Sequence, residues 1–316
     1  MKTSVALCTY NGEQYIEQQL LSIINQEEAV DEIVVSDDGS DDGTIAIVRR
    51  IAADHPQVSW TIIEHTHNAG VTKNFEEAIS RCSGDIIFLS DQDDVWLPNK
   101  VSTICSYFEN YPTKSVVFTD AELIDGEGKQ ISLSTLLDAI NFSPYLSLWN
   151  AGAEFEIFNY HNRATGATMA LRKSFFDKLP PFINNRDYLH DYQLALAAIL
   201  SNAMGLITQA LIQYRLHGKN VVGVRKDSRI YQADADIAQA NPALYTEPYP
   251  LNSYVLFLQE QMHIEPPYIY KKRIEKYATL SGKLWLIWHM SGYKKRYKQY
   301  WKSFFRSDIT YGIIKR

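Results

Sequence analysis

The sequence predicts an α/β protein built on a mostly parallel sheet, and three observations carry that prediction. Short apolar, β-prone runs alternate with segments of helical periodicity, at intervals of about 25 to 30 residues, which is the pattern of βαβ units. The first four such runs end in polar or acidic clusters: Thr9-Tyr10-Asn11-Gly12, Asp37-Asp38, Asn68-Ala69-Gly70 and Asp91-Gln92-Asp93-Asp94. In an open α/β sheet these strand ends share one rim, where ligands bind. No stretch matches GxGxxG or GxxxxGK[ST], so neither the usual dinucleotide fold nor a P-loop is supported.

Taken in order, residues 4–8 form a buried strand that breaks at Thr9-Tyr10-Asn11-Gly12. A helix follows with Ile16, Leu20, Leu21, Ile23 and Ile24 near helical spacing. Residues 32–36 are the second strand. A second helix runs from Thr44 to about Ala53, with Ile45, Val48 and Ile51 on one face. Residues 58–64 are the third strand, and the turn Asn68-Ala69-Gly70 leads into a helix ending near Arg81. Residues 86–90, bounded upstream by Ser83-Gly84, are the fourth. It delivers Asp91, Asp93 and Asp94, with Pro98 soon after to stop regular structure.

Beyond it the pattern predicts a helix over 100–111, a strand over 115–119 with Asp120 at its end, and a hairpin-like turn at Asp125-Gly126-Glu127-Gly128. Residues 131–160 are aromatic-rich and irregular, as a substrate-covering excursion would be. A strand over 165–171 is followed by a helical turn over 173–178, closed by Pro180-Pro181. His190 opens an apolar helix reaching about Leu200, and a strand over 205–214 ends at Arg215-Leu216-His217-Gly218.

The 316 residues fit one large domain, or one domain with an extension. The net charge of −6 hides an asymmetry: residues 271–316 hold 13 Lys+Arg against two acids, leaving 18 against 35 before them. An acidic body with a basic end points to an anionic surface as that end's partner. The cysteines Cys8, Cys82 and Cys105 have no framework spacing, which argues for a reducing compartment and against a structural zinc site. The N-terminal apolar run is too short for a signal peptide, and no apolar stretch approaches the ~20 residues of a membrane span. A cytoplasmic protein is expected, peripheral at the inner face of the cell membrane if its basic end meets lipid.

Three carboxylates within the four positions 91–94 repel one another unless a cation lies among them. Oxygen ligands suit a hard divalent ion, Mg²⁺ or Mn²⁺, and through it a phosphate-bearing ligand. A solvated acidic turn is the alternative for this run considered alone.

Six stretches in order resemble family 2 glycosyltransferases of the GT-A fold: TYNG (9–12), VVSDDGSDDGT (34–44), HNAG (67–70), LSDQDDVW (89–96), HDYQLAL (190–196) and YRLHGKNVVG (214–223). The likeness covers residues 3–220 and is greatest to bacterial rhamnosyltransferase-like enzymes of surface polysaccharide synthesis. It implies a GT-A domain over residues 1–224, with a nucleotide-sugar half (1–119) and an acceptor half (120–224). It also implies inverting, metal-dependent transfer of a sugar, L-rhamnose in the subgroup, from a UDP- or dTDP-sugar to a saccharide or lipid-linked saccharide.

The resemblance also assigns roles. Thr9, Tyr10 and Asn11 would line the base, with Tyr10 offering an aromatic face. Asp38, with Asp37, would accept from the N3–H of uracil or thymine, while Asp41 and Asp42 suit a helix N-terminus. Asn68 and Lys73 would approach the ribose or diphosphate, and Gln92 belongs to the donor site. Asp93 is the preferred ligand of Mn²⁺ or Mg²⁺, Asp91 the second, and Asp94 the least defined. His217 would add a ligand, with Lys219 and Asn220 beside the phosphates. Asp191 would be the general base, with Thr165, Gly166 and His190 bordering the acceptor. Helix capping, strand-exit turns and an ordinary polar histidine are the structural alternatives at these positions.

Two rival functions share some of these features. A sugar-1-phosphate nucleotidyltransferase would carry a Gly/Arg-rich phosphate loop after the first strand, where this chain has Tyr10-Asn11-Gly12-Glu13. The other is a non-catalytic sugar-binding member of the family. Residues 225–316 are expected to form a basic-aromatic helical extension, in which Trp285, Trp288, Tyr293, Tyr297, Trp301 and Phe305 interleave with Lys294, Lys295, Arg296, Lys298, Lys302 and Arg306. That spacing suits an anionic membrane interface or packing on another subunit in an oligomer. The acidic body argues against nucleic acid as a partner.

Overall fold

The apolar runs over residues 3–9, 32–37 and 86–90 become strands because both of their faces are covered. The computed structural model describes residues 1–217 except 132–134, 141, 151, 153, 159–161 and 185–187, together with Val255, Leu258 and residues 261–263. Two units divide the chain, Met1–Pro248 and Tyr249–Arg316, and every element below belongs to the first. The expected boundary at 224/225, the residues Lys219 and Asn220, and the basic-aromatic segment lie outside the described residues. Among the described residues no helix is long and apolar enough to cross a membrane.

In chain order the elements are β1 (Thr3–Thr9), α1 (Ile16–Ile24), β2 (Glu32–Asp37), α2 (Thr44–Asp54), β3 (Ser59–Glu64), α3 (Val71–Arg81), β4 (Ile86–Ser90), β5 (Val95–Trp96), α4 (Lys100–Asn110) and β6 (Val116–Ile124). There follow α5 (Leu136–Ala139), α6 (Leu146–Asn150), α7 (Glu154–Phe158), β7 (Ala170–Arg172), α8 (Lys173–Phe176), α9 (His190–Leu200) and β8 (Met204–Arg215). The eight strands form one sheet in the order β3-β2-β1-β4-β7-β6-β8-β5. The β3–β2, β2–β1, β1–β4 and β6–β8 pairs are parallel, while β4–β7, β7–β6 and β8–β5 are antiparallel.

Val5, Leu7, Ile33, Val35, Ile86 and Phe88 pack in one apolar cluster with Ile16, Leu20 and Ile23 of α1, Val48 and Ile51 of α2, and Val101, Ile104 and Phe108 of α4. The alternate strand residues Ala6, Val34, Ile87 and Leu89 are equally inaccessible, and α3 packs against β1, β2 and α9. Successive side chains of a strand point to opposite faces, so burial of both sets produces the continuous apolar runs seen in the sequence. The three cysteines are buried and free.

Four elements differ from expectation. The strand expected over 115–119 continues to Ile124, so Asp120 is interior to β6, beside two register shifts against β8. Its carboxylate accepts from the N–H groups of Ala121 (2.8 Å) and Leu137 (2.9 Å), which makes a polar residue tolerable there. The strand expected over 165–171 is a 3-10 turn, Gly166–Thr168, followed by the short β7. The described residues of 131–160 include three short α-helices and a 3-10 turn, and Phe142, Trp149 and Phe158 pack edge-on around Phe118. Aromatic content there reflects core packing. Val95 and Trp96, too short a run to register as a strand, are held by pairing with Gln213 and Ile212 of β8.

Candidate active site

Where β1 lies between β2 and β4, the strand order reverses direction, and such switch points open a crevice at the carboxyl ends of the strands. The loops after β1 and β4 meet there. Gln92 clamps the Tyr10 peptide, accepting from its N–H (2.8 Å) and donating to its carbonyl (3.0 Å). Tyr10 itself is 48% exposed, an aromatic face held open at the rim. Gly12 makes the clamp possible, because a Cβ there would lie 2.2 Å from Gln92 Oε1.

The loops after β1 and β2 are also laced together. Asn11 donates its N–H to Ser40 Oγ (2.8 Å) and accepts from the Asp41 N–H through Oδ1 (2.9 Å). The Gly12 N–H donates to Thr44 Oγ1 (2.8 Å), and Glu13 Oε2 accepts from the Gly43 N–H (3.0 Å). Asp42, just before the N-cap Gly43, accepts from the Thr44 N–H (2.9 Å) at the start of α2.

Asp37 and Asp38 do not stand free. Asp37 is 2% exposed and accepts from Thr9 Oγ1 (2.6 Å) and the Ser40 N–H (2.7 Å). Asp38 is 3% exposed and accepts from the Ala69 N–H (2.7 Å) and the Gly70 N–H (2.9 Å). Gly70 sits at φ +92°, where a side chain would be strained. The strand-end carboxylates thus tie neighbouring loops together, a use invisible along the chain. Thr9 is buried and spent on Asp37, and Asn68 is exposed. The Lys73 ammonium pairs with Glu76 and donates to the Phe182 carbonyl (2.9 Å), linking α3 to a distant segment.

After β4 the chain turns through the acid loop, which β8 meets from the far half of the sheet. Asp93 Oδ2 and His217 Nε2 lie 2.7 Å apart, with both side chains largely buried. Asp94 is 1% exposed; its Oδ1 accepts from the Arg215 N–H (2.9 Å), and its buried Oδ2 has no hydrogen-bond partner among the described residues. Burial, then Asp93 and Asp191, push the Asp91 carboxyl up to about 7. Burial, then Asp93 and Asp91, raise Asp94 well above the usual carboxylate range. Lys100, wholly buried beside them and pushed down to about 7 by burial, donates to the Ala167 carbonyl (3.0 Å). Burial, then Asp94, Asp91, Asp93 and Asp191, raise the Tyr214 phenol, so this one side chain on β8 senses all four acids.

Asp191 stands in the first turn of α9. Its Oδ1 accepts from the Tyr192 N–H (2.7 Å) and Oδ2 from the Gly166 N–H (3.3 Å), with a further bond from the Asn162 side chain. Burial nonetheless carries its carboxyl up to about 6. Gly166 must be small, since a Cβ would meet His190 Nε2 at 2.7 Å. His190 is 4% exposed and stacks on Phe75 with ring centroids 3.8 Å apart; burial pushes its imidazole down to about 3. It is a neutral interior ring beside the Gly166 turn. Thr165 shapes the same turn, its carbonyl accepting from the Thr168 N–H (2.9 Å).

Among the described residues no three His, Cys, Asp or Glu side chains cluster tightly enough to form a metal site as they stand. The chemistry of the donors still fits a divalent cation. Asp93 and His217 face one another, Asp94 has an orphaned buried oxygen, and one neutralisable lysine opposes three mutually repelling acids. Asn162, Tyr214, Lys100 and Arg215 were not foreseen. Each acts through contacts that are distant in sequence and follow no motif spacing.

Residues 4–179 match the family model described as Glycosyl transferase family 2, more than half of the chain. The dTDP-rhamnosyl transferase RfbG of Shigella flexneri is 28% identical over 235 residues, covering 69% of this chain and 73% of that protein. An uncharacterized glycosyltransferase of Haemophilus influenzae is 29% identical over 224 residues, covering 70% and 67%. An uncharacterized protein of Mycobacterium bovis is 27% identical over 222 residues, 69% of this chain but 60% of its own length. The chain therefore spans only part of the mycobacterial relative. Among solved structures, S. aureus TarS 1–349 in complex with UDP-GlcNAc superimposes with a TM-score of 0.53 at 17% identity, covering 83% and 72% of the two chains. The sheet and its flanking helices are those of a GT-A glycosyltransferase. On this fold and the match over residues 4–179, the chain belongs to glycosyl transferase family 2.

Proposed function

We propose that the protein is an inverting, metal-dependent glycosyltransferase that moves a sugar from a UDP- or dTDP-sugar to a saccharide or lipid-linked saccharide acceptor. The observation that carries this reading is Asp191. It is a carboxylate held by two backbone N–H groups and Asn162, raised to about 6, and close enough to Asp91 for their charges to interact. A base of that strength is ionised at neutral pH yet more basic than an ordinary carboxylate.

In the proposed reaction an acceptor hydroxyl donates its proton to Asp191 while its oxygen bonds to the anomeric carbon. The bond from that carbon to the diphosphate oxygen breaks on the opposite face, and the nucleoside diphosphate leaves with the electron pair. One positioned base suffices, unlike the two carboxylates of glycoside hydrolysis. Tyr10, presented by Gln92, offers the base ring a stacking face. Asp93, His217 and Asp91 would hold Mn²⁺ or Mg²⁺, which supplies Lewis-acid neutralisation of the departing diphosphate. The RfbG similarity supports dTDP-L-rhamnose as a donor to examine first, and surface polysaccharide synthesis as the setting.

The test is a thermal-shift screen of nucleotide sugars with and without Mn²⁺ or Mg²⁺. The expected result is stabilisation by UDP- or dTDP-sugars that depends on the cation. Stabilisation by GDP- or CMP-sugars alone overturns the donor assignment.

A further inference from the structure

We propose that Arg215 is a positioning residue that assembles the Asp93–His217 pair. The inference deepens the functional reading above and rests on its cation site. Arg215 is 1% exposed, and burying a guanidinium is costly unless its donors are satisfied. Its Nε donates to the Asp93 carbonyl (2.7 Å), Nη1 to the Asp125 carbonyl (3.1 Å), and Nη2 to Gln18 Oε1 (2.7 Å). Its own backbone N–H donates to Asp94 Oδ1 (2.9 Å). One residue of β8 thus grips two consecutive members of the acid loop, one by its carbonyl and one by its carboxylate.

The same residue fixes the other half of the pair. His217 lies two positions further along the strand exit, and Tyr15 joins the two side chains. The Arg215 guanidinium lies 4.7 Å from the Tyr15 ring centroid, and the His217 ring centroid lies 5.0 Å from it. Gln18 and Tyr15 belong to α1 and the turn before it, and Asp125 to the turn after β6. Arg215 therefore ties two separate stretches, the start of α1 and the turn after β6, to the loop that carries Asp93. A lysine cannot do this, because it is a point charge without the planar fork that reaches several carbonyls at once.

The test measures Mn²⁺ binding in the presence of UDP, read from the electron paramagnetic resonance signal of free Mn²⁺. The proteins are wild type, Arg215→Lys, Gln18→Ala, His217→Ala and the Arg215→Lys/His217→Ala double variant, with thermal unfolding of each as a control. Partners that orient metal ligands are commonly worth about tenfold to a hundredfold in metal affinity, so Arg215→Lys is expected to weaken Mn²⁺ binding by about tenfold or more. Gln18→Ala should give a smaller loss of the same kind, and the double variant should bind no more weakly than the worse single one. A folded Arg215→Lys protein with wild-type Mn²⁺ affinity, or losses that multiply in the double variant, overturns the proposal. Should Arg215→Lys fail to fold, Gln18→Ala decides: unchanged Mn²⁺ affinity there overturns it. Wild-type protein that binds no Mn²⁺ with UDP defeats the cation site itself, a result distinct from failure of Arg215 alone.

Discussion

Replacing Asp191 with Asn should slow sugar transfer by orders of magnitude and, at neutral pH, make the protein more stable. Burial raises this carboxyl from the ordinary 3.8 to about 6. A shift of about two units means that keeping it ionised in the folded protein costs about 3 kcal/mol. Asn removes that charge but offers one oxygen where two are engaged by the Gly166 and Tyr192 N–H groups, forfeiting about 1 kcal/mol. The net gain of about 2 kcal/mol corresponds to a melting temperature about 4 °C higher in a protein of this size.

The sign of the pH dependence follows from the raised value. Between pH about 6 and 4 the folded state holds a proton that the unfolded state has released, so wild-type stability rises as pH falls through that window. The advantage of Asp191→Asn should therefore shrink from pH 7 to pH 4. Thermal unfolding at several pH values, with UDP titration and transfer assays on the same samples, measures all three quantities. Transfer should drop by about 10²–10⁴, with UDP affinity within about twofold of wild type. A variant less stable than wild type at pH 7, or a gap that stays constant in acid, refutes the buried-charge account. Transfer at the wild-type rate refutes Asp191 as the base.

Gln92→Ala removes two hydrogen bonds from the Tyr10 peptide, worth about 1 kcal/mol each, so calorimetric titration should show UDP bound at least about tenfold more weakly. Gly12→Ala should reproduce that defect, because its Cβ would displace Gln92 Oε1 from 2.2 Å away; normal UDP affinity in both variants would exclude the clamp from donor binding. Asn162→Ala deletes a bond that lowers the Asp191 carboxyl, so the acid limb of the kcat/KM profile should move to higher pH, and an unmoved limb refutes the contact's role. Chelation with EDTA should stop transfer, and Mn²⁺ or Mg²⁺ should restore it; full activity in EDTA refutes metal dependence.

The strands β1, β2 and β4, the helices α2 and α9, and the polar clusters at their ends were legible in the chain, because hydrophobic periodicity and turn residues are local signals. Runs buried on both faces announce a parallel sheet, and acids gathered after strand ends announce a ligand rim. The paired strand Val95–Trp96 was not legible, since its partner lies in β8. Nor was the turn Gly166–Thr168, whose shape depends on room left beside His190.

The site divides the same way. Asp91, Asp93, Asp191 and His217 could be proposed from the sequence, the acids by their clustering after a strand end and Asp191 and His217 by motifs that resemble the family. What each one does depended on contacts that form only in the folded chain, several of them far apart in sequence. Asp37 and Asp38 are bound to loop N–H groups, Lys73 to Glu76 and Phe182, and His190 is sealed against Phe75. Arg215, 121 residues from Asp94 in sequence, carries one hydrogen bond to its carboxylate. Local pattern specifies which groups are available; burial and hydrogen bonding between packed segments determine which remain available to a ligand, because both arise only when the chain folds.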